Sequence, residues 1–213
     1  INKKKKIKDI GFSGNFDTNL LFKSIFFKGN KKNIDDNILL LHSVTRAIEN
    51  SNIRFTANVN GLIRGPALEI ALASNFIIGK KDTNIKFEFI NDSFLPSLGT
   101  IQRLTRIVGY QSALKIFLKD KYLNFEEALK LNILNDTVDN LTKIKKRKFF
   151  WDQDFTNTFI YYNSKTHSKY KNKRPDLSAL LSIIFDSSIC HYEAGLSIEK
   201  RWFKWFISRI LVN

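Results

Sequence analysis

The sequence predicts an α/β fold, and three observations carry that prediction. Short β-type runs alternate with helical periodicities up to about Asp136. One run, FTANVN, passes through Asn60-Gly61 into GLIRGPALEIALAS, which reads as strand, turn and helix. The chain is 43% hydrophobic over 213 residues, enough to bury the core that such a fold requires.

Taken in order, NKKKKIKDI at 2 to 10 is a charge run read as a solvated end, followed by FSGNFD, with Phe12 and Phe16 around a turn at Ser13, Gly14 and Asn15. The stretch DDNILLLHSVTRAIEN at 35 to 50 places Ile38, Leu41, Val44 or Thr45, and Ile48 at helical spacing, with acidic residues in the first turn. IRFTANV then alternates Ile53, Phe55, Ala57 and Val59 on one face, a strand pattern. A tight turn over 62 to 66 leads into a helix beginning near Pro66, because proline is preset for the first turn of a helix. FIIG at 76 to 79 and IKFEFI at 85 to 90 are short β-type runs. After the loop NDSFLPSLGT, the run IQRLTRIVGYQSALKIFL predicts two helices broken by Gly109. NFEEALKLNIL predicts a further helix, with Asn124 as N-cap and Glu126 and Glu127 in the first turn, where the helix dipole favours them.

Beyond about 140 the character changes. KIKKRK is basic, and WDQDFTNTFIYYNSKTHSKYKNKRP is aromatic, polar and weakly patterned, so a linker or poorly packed extension is predicted. From Pro175 the pattern recovers as two helices, with Gly195 between them or inside the second. The predicted organisation is an α/β domain over 1–140 and a linker with a C-terminal helical segment over 141–213.

Composition narrows the function classes. A formal charge of +15 favours partners that carry phosphate, such as nucleic acid, an anionic membrane or a phosphorylated cofactor. Lys, Asn, Ile and Phe are abundant throughout while Met is absent, so the lysines read as spread over all surfaces and a basic nucleic-acid-binding module is the weaker reading. The single Cys190 provides no disulfide framework, and no apolar run reaches membrane-spanning length, which reads as a cytoplasmic chain. His42, His167 and His191 show no metal-ligand spacing, so no metal site is predicted, and Cys190 reads as packed on an apolar helical run.

The run NGLIRGPALEIALASNF, the Pro-x-x-Gly-x-x-Gln-Arg-Leu segment at 96 to 104 and the Glu-Glu-Ala-Leu-Lys-Leu run at 126 to 131 resemble the enoyl-CoA hydratase/isomerase, or crotonase, superfamily in order and spacing. FSGNFD looks like that family's loop ending in Asp. The helix LLLHSVTRAIEN is similar to the hydratase part of multifunctional fatty-acid oxidation enzymes, and KRPDLSALLSIIF and EAGLSIEKRWF to their linker. The resemblance covers about 7 to 138 well and 165 to 213 loosely. It implies a crotonase-like spiral of β-β-α units, incomplete at the N-terminus, with a C-terminal helical extension. It also implies a chain clipped at both ends, without the dehydrogenase part, since no glycine-rich dinucleotide fingerprint follows a strand.

Hydration of an α,β-unsaturated thioester builds negative charge on the thioester oxygen, which calls for two N–H donors, and it needs carboxylates to hold the water and manage its proton. By resemblance the donors fall on the amides of Phe16 and Pro66, and proline has no N–H to give. The neighbouring amide of Ala67 is the alternative donor. Glu69 falls on the first catalytic carboxylate; without the resemblance it reads more readily as an exposed or N-terminal helix carboxylate stabilised by the dipole. The second carboxylate position, counted back from Pro96, holds Phe89, leaving Glu88, one residue away and facing the other side of an extended segment, or Asp92 in the loop. Gln102 and Arg103 read as support for a helix start. The substrate-binding set implied is Arg64, Gly65, Pro96 and Gly99; Arg64 and the N-terminal lysines are candidates to meet the coenzyme A phosphates, although each taken singly reads more readily as solvated basic surface. The resemblance thus implies an acyl-CoA thioester as partner, coenzyme A as part of the substrate rather than a separate cofactor, and a homo-oligomer or a thiolase or dehydrogenase partner. Three readings follow: a hydratase or isomerase-like module of fatty-acid β-oxidation with impaired catalysis, a non-catalytic crotonase-fold protein binding acyl-CoA or a partner subunit, and a nucleic-acid binder.

Overall fold

A computed structural model describes residues 7–13, 34–87, 96, 98–119, 122–135, 153–171 and 173–210. The chain divides into two compact units, the first built from Ile1–Phe87 with Lys121–Ile144 and the second from Glu88–Asp120 with Lys145–Asn213.

In the first unit β1 (Ile7–Ser13), β2 (Arg54–Asn60) and β4 (Phe76–Gly79) form a parallel sheet in the order β1-β2-β4. Ile7 pairs with Arg54 at one end of the first ladder and Ser13 with Asn60 at the other. Parallel neighbours need a crossover, and between β1 and β2 it contains α1 (Ile34–Asn50). The inward stripe of α1 is Ile38, Thr45 and Ile48, while Leu39, Leu40 and Val44 face out. The structure thus selects Thr45 over Val44, and the buried hydroxyl is satisfied within the helix by donating to the His42 carbonyl at 3.1 Å.

The Asn60-Gly61 turn moves the chain from one sheet to another. Gly61 has φ 61°, a left-handed conformation that costs a residue with a Cβ about 1 kcal/mol or more. Beyond it, β3 (Leu62–Arg64) pairs in parallel with β5 (Asn84–Lys86), and β5 pairs antiparallel with β6 (Leu123–Asn124). The 62 to 64 stretch, read as part of a tight turn, is therefore a strand; the turn is confined to Gly61 and to Gly65, with φ 55°. The helix α2 (Gly65–Ala73) follows directly, with Pro66 in its first turn as predicted, and buries Leu68, Ala71, Leu72 and Ala73.

Two asparagines extend the first sheet by mimicking a strand. Asn75 accepts from the Phe55 amide on its side-chain oxygen at 2.8 Å and donates its own amide to the Phe55 carbonyl at 2.9 Å. Asn135 treats Ile77 the same way, at 2.8 and 2.7 Å. After β6, α5 (Phe125–Lys130) starts with a capping box: Asn124 accepts from the Glu127 amide at 2.9 Å, and Glu127 accepts from the Asn124 amide at 3.1 Å. Replacing Asn124 by Ala is expected to lower stability by about 1 kcal/mol, read as a lowered denaturation midpoint.

The second unit is helical: α3 (Thr100–Val108), α4 (Tyr110–Lys119), α6 (Gln153–Tyr170), α7 (Pro175–Ile189) and α8 (Tyr192–Ile210). Gly109, at φ 83°, ends α3 and separates it from α4, as the sequence indicates. The centre is α7, which packs against α3, α4, α6 and α8. It buries Leu177, Ala179, Leu180, Leu181, Ile183 and Ile184, so apolar side chains cover much of its circumference, as in a core helix.

The stretch predicted as a linker or poorly packed extension holds the 18-residue helix α6. Phe155 and Phe159, one turn apart, are buried in a ring cluster with Tyr110 and Phe185, centroids 4.8 to 6.0 Å apart. The remaining side chains are largely exposed, which is why so narrow a stripe gave a weak pattern. Gly195 lies inside α8, and a Cβ there would stand 2.0 Å from the side-chain oxygen of Gln102. A side chain at 195 would have to displace the Gln102 amide group, so glycine accommodates the close approach of α8 to α3.

Candidate active site

The candidate residues of the first unit lie in one continuous segment. β3 ends at Arg64, in extended conformation, Gly65 turns the chain, and α2 carries Pro66, Ala67 and Glu69 close to its start. The first amides of any helix have no intrahelical acceptor. Here those are the amides of Arg64, Gly65 and Ala67, since Pro66 contributes none. Ala67 is therefore the donor next to the proline, on backbone that is already helical.

Glu69 is only 3% exposed. An exposed, dipole-stabilised carboxylate is thus not what the structure contains; the side chain is withdrawn from water, where its charge must be compensated. A buried carboxyl one turn from a row of helix-start amides is a suitable group for moving a proton at a shielded reacting centre.

Pro96 and Gly99 belong to the second unit, at the entrance to α3. Pro96 is buried, and Gly99 is the N-cap residue, with φ 89°. Its glycine identity is doubly required, by the left-handed backbone and because a Cβ would stand 2.5 Å from Leu196. Phe16, Glu88, Phe89 and Asp92 lie outside the described residues.

Gln102 and Arg103, read as support for a helix start, serve that role. Arg103 is fully buried, its guanidinium donates to the Leu98 carbonyl, and its amide donates to the Gly99 carbonyl at 2.9 Å. The Gln102 amide, in the first turn of α3, donates to the Glu199 carboxylate at 3.0 Å. Glu199 is fully buried on α8, and sequence reading passed it over. The signal was its position: Leu196, Glu199, Phe203 and Phe206 form one helical stripe, and a carboxylate at a core position of such a stripe needs a donor on the facing element. Glu199→Ala would leave the buried Gln102 amide unsatisfied and is expected to cost about 2 kcal/mol, with partial recovery in Glu199→Gln, whose amide oxygen still accepts. Chemical denaturation of the three proteins measures it.

Cys190 stands half-buried at the end of α7. Burial raises its thiol above the ordinary range, against the opposing pull of Arg106, so the thiolate is scarce near neutral pH and the residue is a poor nucleophile. Among the described residues no cluster of three or more His, Cys, Asp and Glu is placed to hold a metal ion, and no helix is long and apolar enough to cross a membrane.

Solved structures carry the fold assignment. An enoyl-CoA hydratase from Thermoplasma volcanium superposes with a TM-score of 0.53 at 20% identity, over 95% of this chain and 75% of that one. A putative enoyl-CoA hydratase from Thermobifida fusca gives 0.52 at 14% identity, over 96% and 77%. The class is the crotonase-like α/β fold. The sequence pattern of the enoyl-CoA hydratase/isomerase family matches residues 29–205, and the chain belongs to that family. Among curated proteins it is 35% identical over 101 residues to the fatty acid oxidation complex subunit alpha of Shewanella frigidimarina, a match over 46% of this chain and 14% of that relative. The corresponding protein of Shewanella oneidensis matches at 34% over 99 residues, again covering 14% of the relative. The matched region therefore spans a small part of the length of these relatives.

Proposed function

We propose that this chain is a hydratase/isomerase-like module that binds acyl-CoA thioesters of fatty-acid β-oxidation and turns them over poorly. The observation that carries this reading is Glu69, buried one turn past a helix start whose amides have no intrahelical acceptor. In the reaction, water adds across the double bond conjugated to the thioester. Glu69 manages the water's proton, while backbone amides stabilise the charge that develops on the thioester oxygen. Coenzyme A enters as part of the substrate, with Arg64, Gly65, Pro96 and Gly99 as the substrate-binding set and no separate cofactor. Glu88 or Asp92 is the candidate second carboxylate. The proposal places the domain over about 1–140 with a C-terminal helical segment, in the cytoplasm, as a homo-oligomer or beside a thiolase or dehydrogenase partner.

Pro66 favours a second reading, a non-catalytic crotonase-fold protein that binds acyl-CoA or a partner subunit, because one half of the oxyanion site has no N–H to donate. Calorimetry with a saturated acyl-CoA tests the binding shared by both readings. Saturable binding weaker than about micromolar is expected, and it should persist in Glu69→Gln. Absence of binding at millimolar ligand, or tighter binding to random-sequence RNA, would overturn the assignment. Residual turnover that disappears in Glu69→Gln separates the first reading from the second.

A further inference from the structure

Between the C-terminal half of α6 and the start of α7 lies an open groove of about 390 Å³, at the small end of ligand-pocket sizes. Its lining is Asn163, Ser164, Thr166, His167, Tyr170, Arg174 and Ser178. Each of these side chains is capable of hydrogen bonding, and no aliphatic residue is among them.

The chain along it is strongly basic. Lys165, Lys169, Lys171, Lys173 and Arg174 fall in ten consecutive residues, and no Asp or Glu stands between Asp154 and Asp176. The cations are organised by the fold. The Tyr170 ring lies 4.9 Å from the Lys169 ammonium and 5.5 Å from the Arg174 guanidinium. Asp176 holds Arg174 by a two-pronged pair at 2.8 to 3.2 Å, which orients the fork and offsets part of its charge. Lys171 adopts φ 43°, a left-handed conformation that a lysine takes only at some cost, and its amide donates to the His167 carbonyl at 2.9 Å. The groove lies beside the first turn of the 15-residue α7, whose dipole is positive at that end.

We infer that this groove binds the phosphate group of a small organic phosphate. Arg174 and His167 meet the phosphate oxygens, Asn163, Thr166 and Ser178 supply neutral hydrogen bonds, and the flanking lysines steer the anion in. The inference stands independently of the acyl-CoA reading, since it uses none of the residues assigned there.

The test is nuclear magnetic resonance of the histidine rings in the full chain, with His167 assigned through His167→Gln. Ribose 5-phosphate and inorganic phosphate are the probes, with sodium chloride at matched ionic strength as control. Ribose 5-phosphate is expected to move the His167 ring resonances saturably, with a Kd of about 1 mM or tighter, and chloride is expected not to. Arg174→Gln should weaken binding about ten-fold or more, a fold-change on the scale of losing one charge-assisted pair. Ser178→Glu, which places a carboxylate in the groove at an exposed position, should abolish it. Retained cooperative thermal unfolding establishes that both variants are folded. No saturable movement at about 10 mM probe, or equal binding by the Ser178→Glu protein, would overturn the inference. Random-sequence RNA binding at least about a hundred-fold tighter, and lost in the same variants, would reassign the groove to a polyanion and equally overturn the small-ligand inference.

Discussion

Hydration of a short enoyl-CoA by this chain is expected to run near background, and the double variant Pro66→Gly with Phe89→Glu is expected to gain more than the two single changes combined. On the proposed assignment Pro66 removes one donor to the developing oxyanion, and loss of one such donor costs about a hundred- to a thousand-fold in turnover. By the family resemblance Phe89 stands where the second carboxylate is needed. Glycine at 66 alone leaves the water without that carboxylate, and glutamate at 89 alone leaves the oxyanion half-stabilised. Groups that act as a unit are not additive, so each single change recovers little. The assay is the loss of enoyl absorbance for the four proteins at one enzyme concentration. Robust activity in the unmodified chain would show that Ala67, together with Glu88 or Asp92, has taken over these roles, and the disabling reading of Pro66 would be wrong.

The largest stability effect is expected at Phe155. Its ring is fully buried among Tyr110, Phe159 and Phe185, so Phe155→Ala should destabilise the second unit by about 4 kcal/mol. Phe155→Leu, which keeps most of the volume, should cost about 1.5 kcal/mol. Because Phe155 and Phe159 are the two buried anchors of α6, amide hydrogen exchange over 153 to 170 should rise in Phe155→Ala before it rises in α7. A cost under about 0.5 kcal/mol, the level of a surface substitution, would mean that this stretch is the loosely packed extension its composition resembles.

Local chemistry was legible wherever a residue's role is settled by its neighbours in sequence. Asn124 and Glu127 cap α5 through contacts three residues apart, and Gly109 ends α3 by its own backbone conformation, so both were readable directly. The choice between Val44 and Thr45 was not, because both lie near the same helical face and only the packed unit determines which of them faces inward. Helix α6 was obscured for a related reason: two phenylalanines among many exposed polar residues make too narrow a stripe to mark a helix until the rings of Tyr110 and Phe185 complete the cluster. Arg64, Gly65, Pro66, Ala67 and Glu69 were read as one segment and lie on one strand-to-helix junction, since proximity in sequence enforced their proximity in space.

The sequence by itself determined the alternation of strands and helices, the helix start at Pro66, and the absence of an N–H at that position, which follows from proline's covalent structure whatever the fold. Tertiary structure decided what depends on partners distant in the chain. Gly61 does more than close a turn: it sends the chain from one sheet into another. Glu69, which its own helix leaves free to be exposed or buried, is buried by its surroundings. Glu199 caps a helix whose first turn lies 97 residues earlier in the chain. A backbone conformation or a missing donor is a property of a few consecutive residues, whereas burial and a cross-chain hydrogen bond exist only when two distant segments share the same space, and no local pattern specifies that meeting.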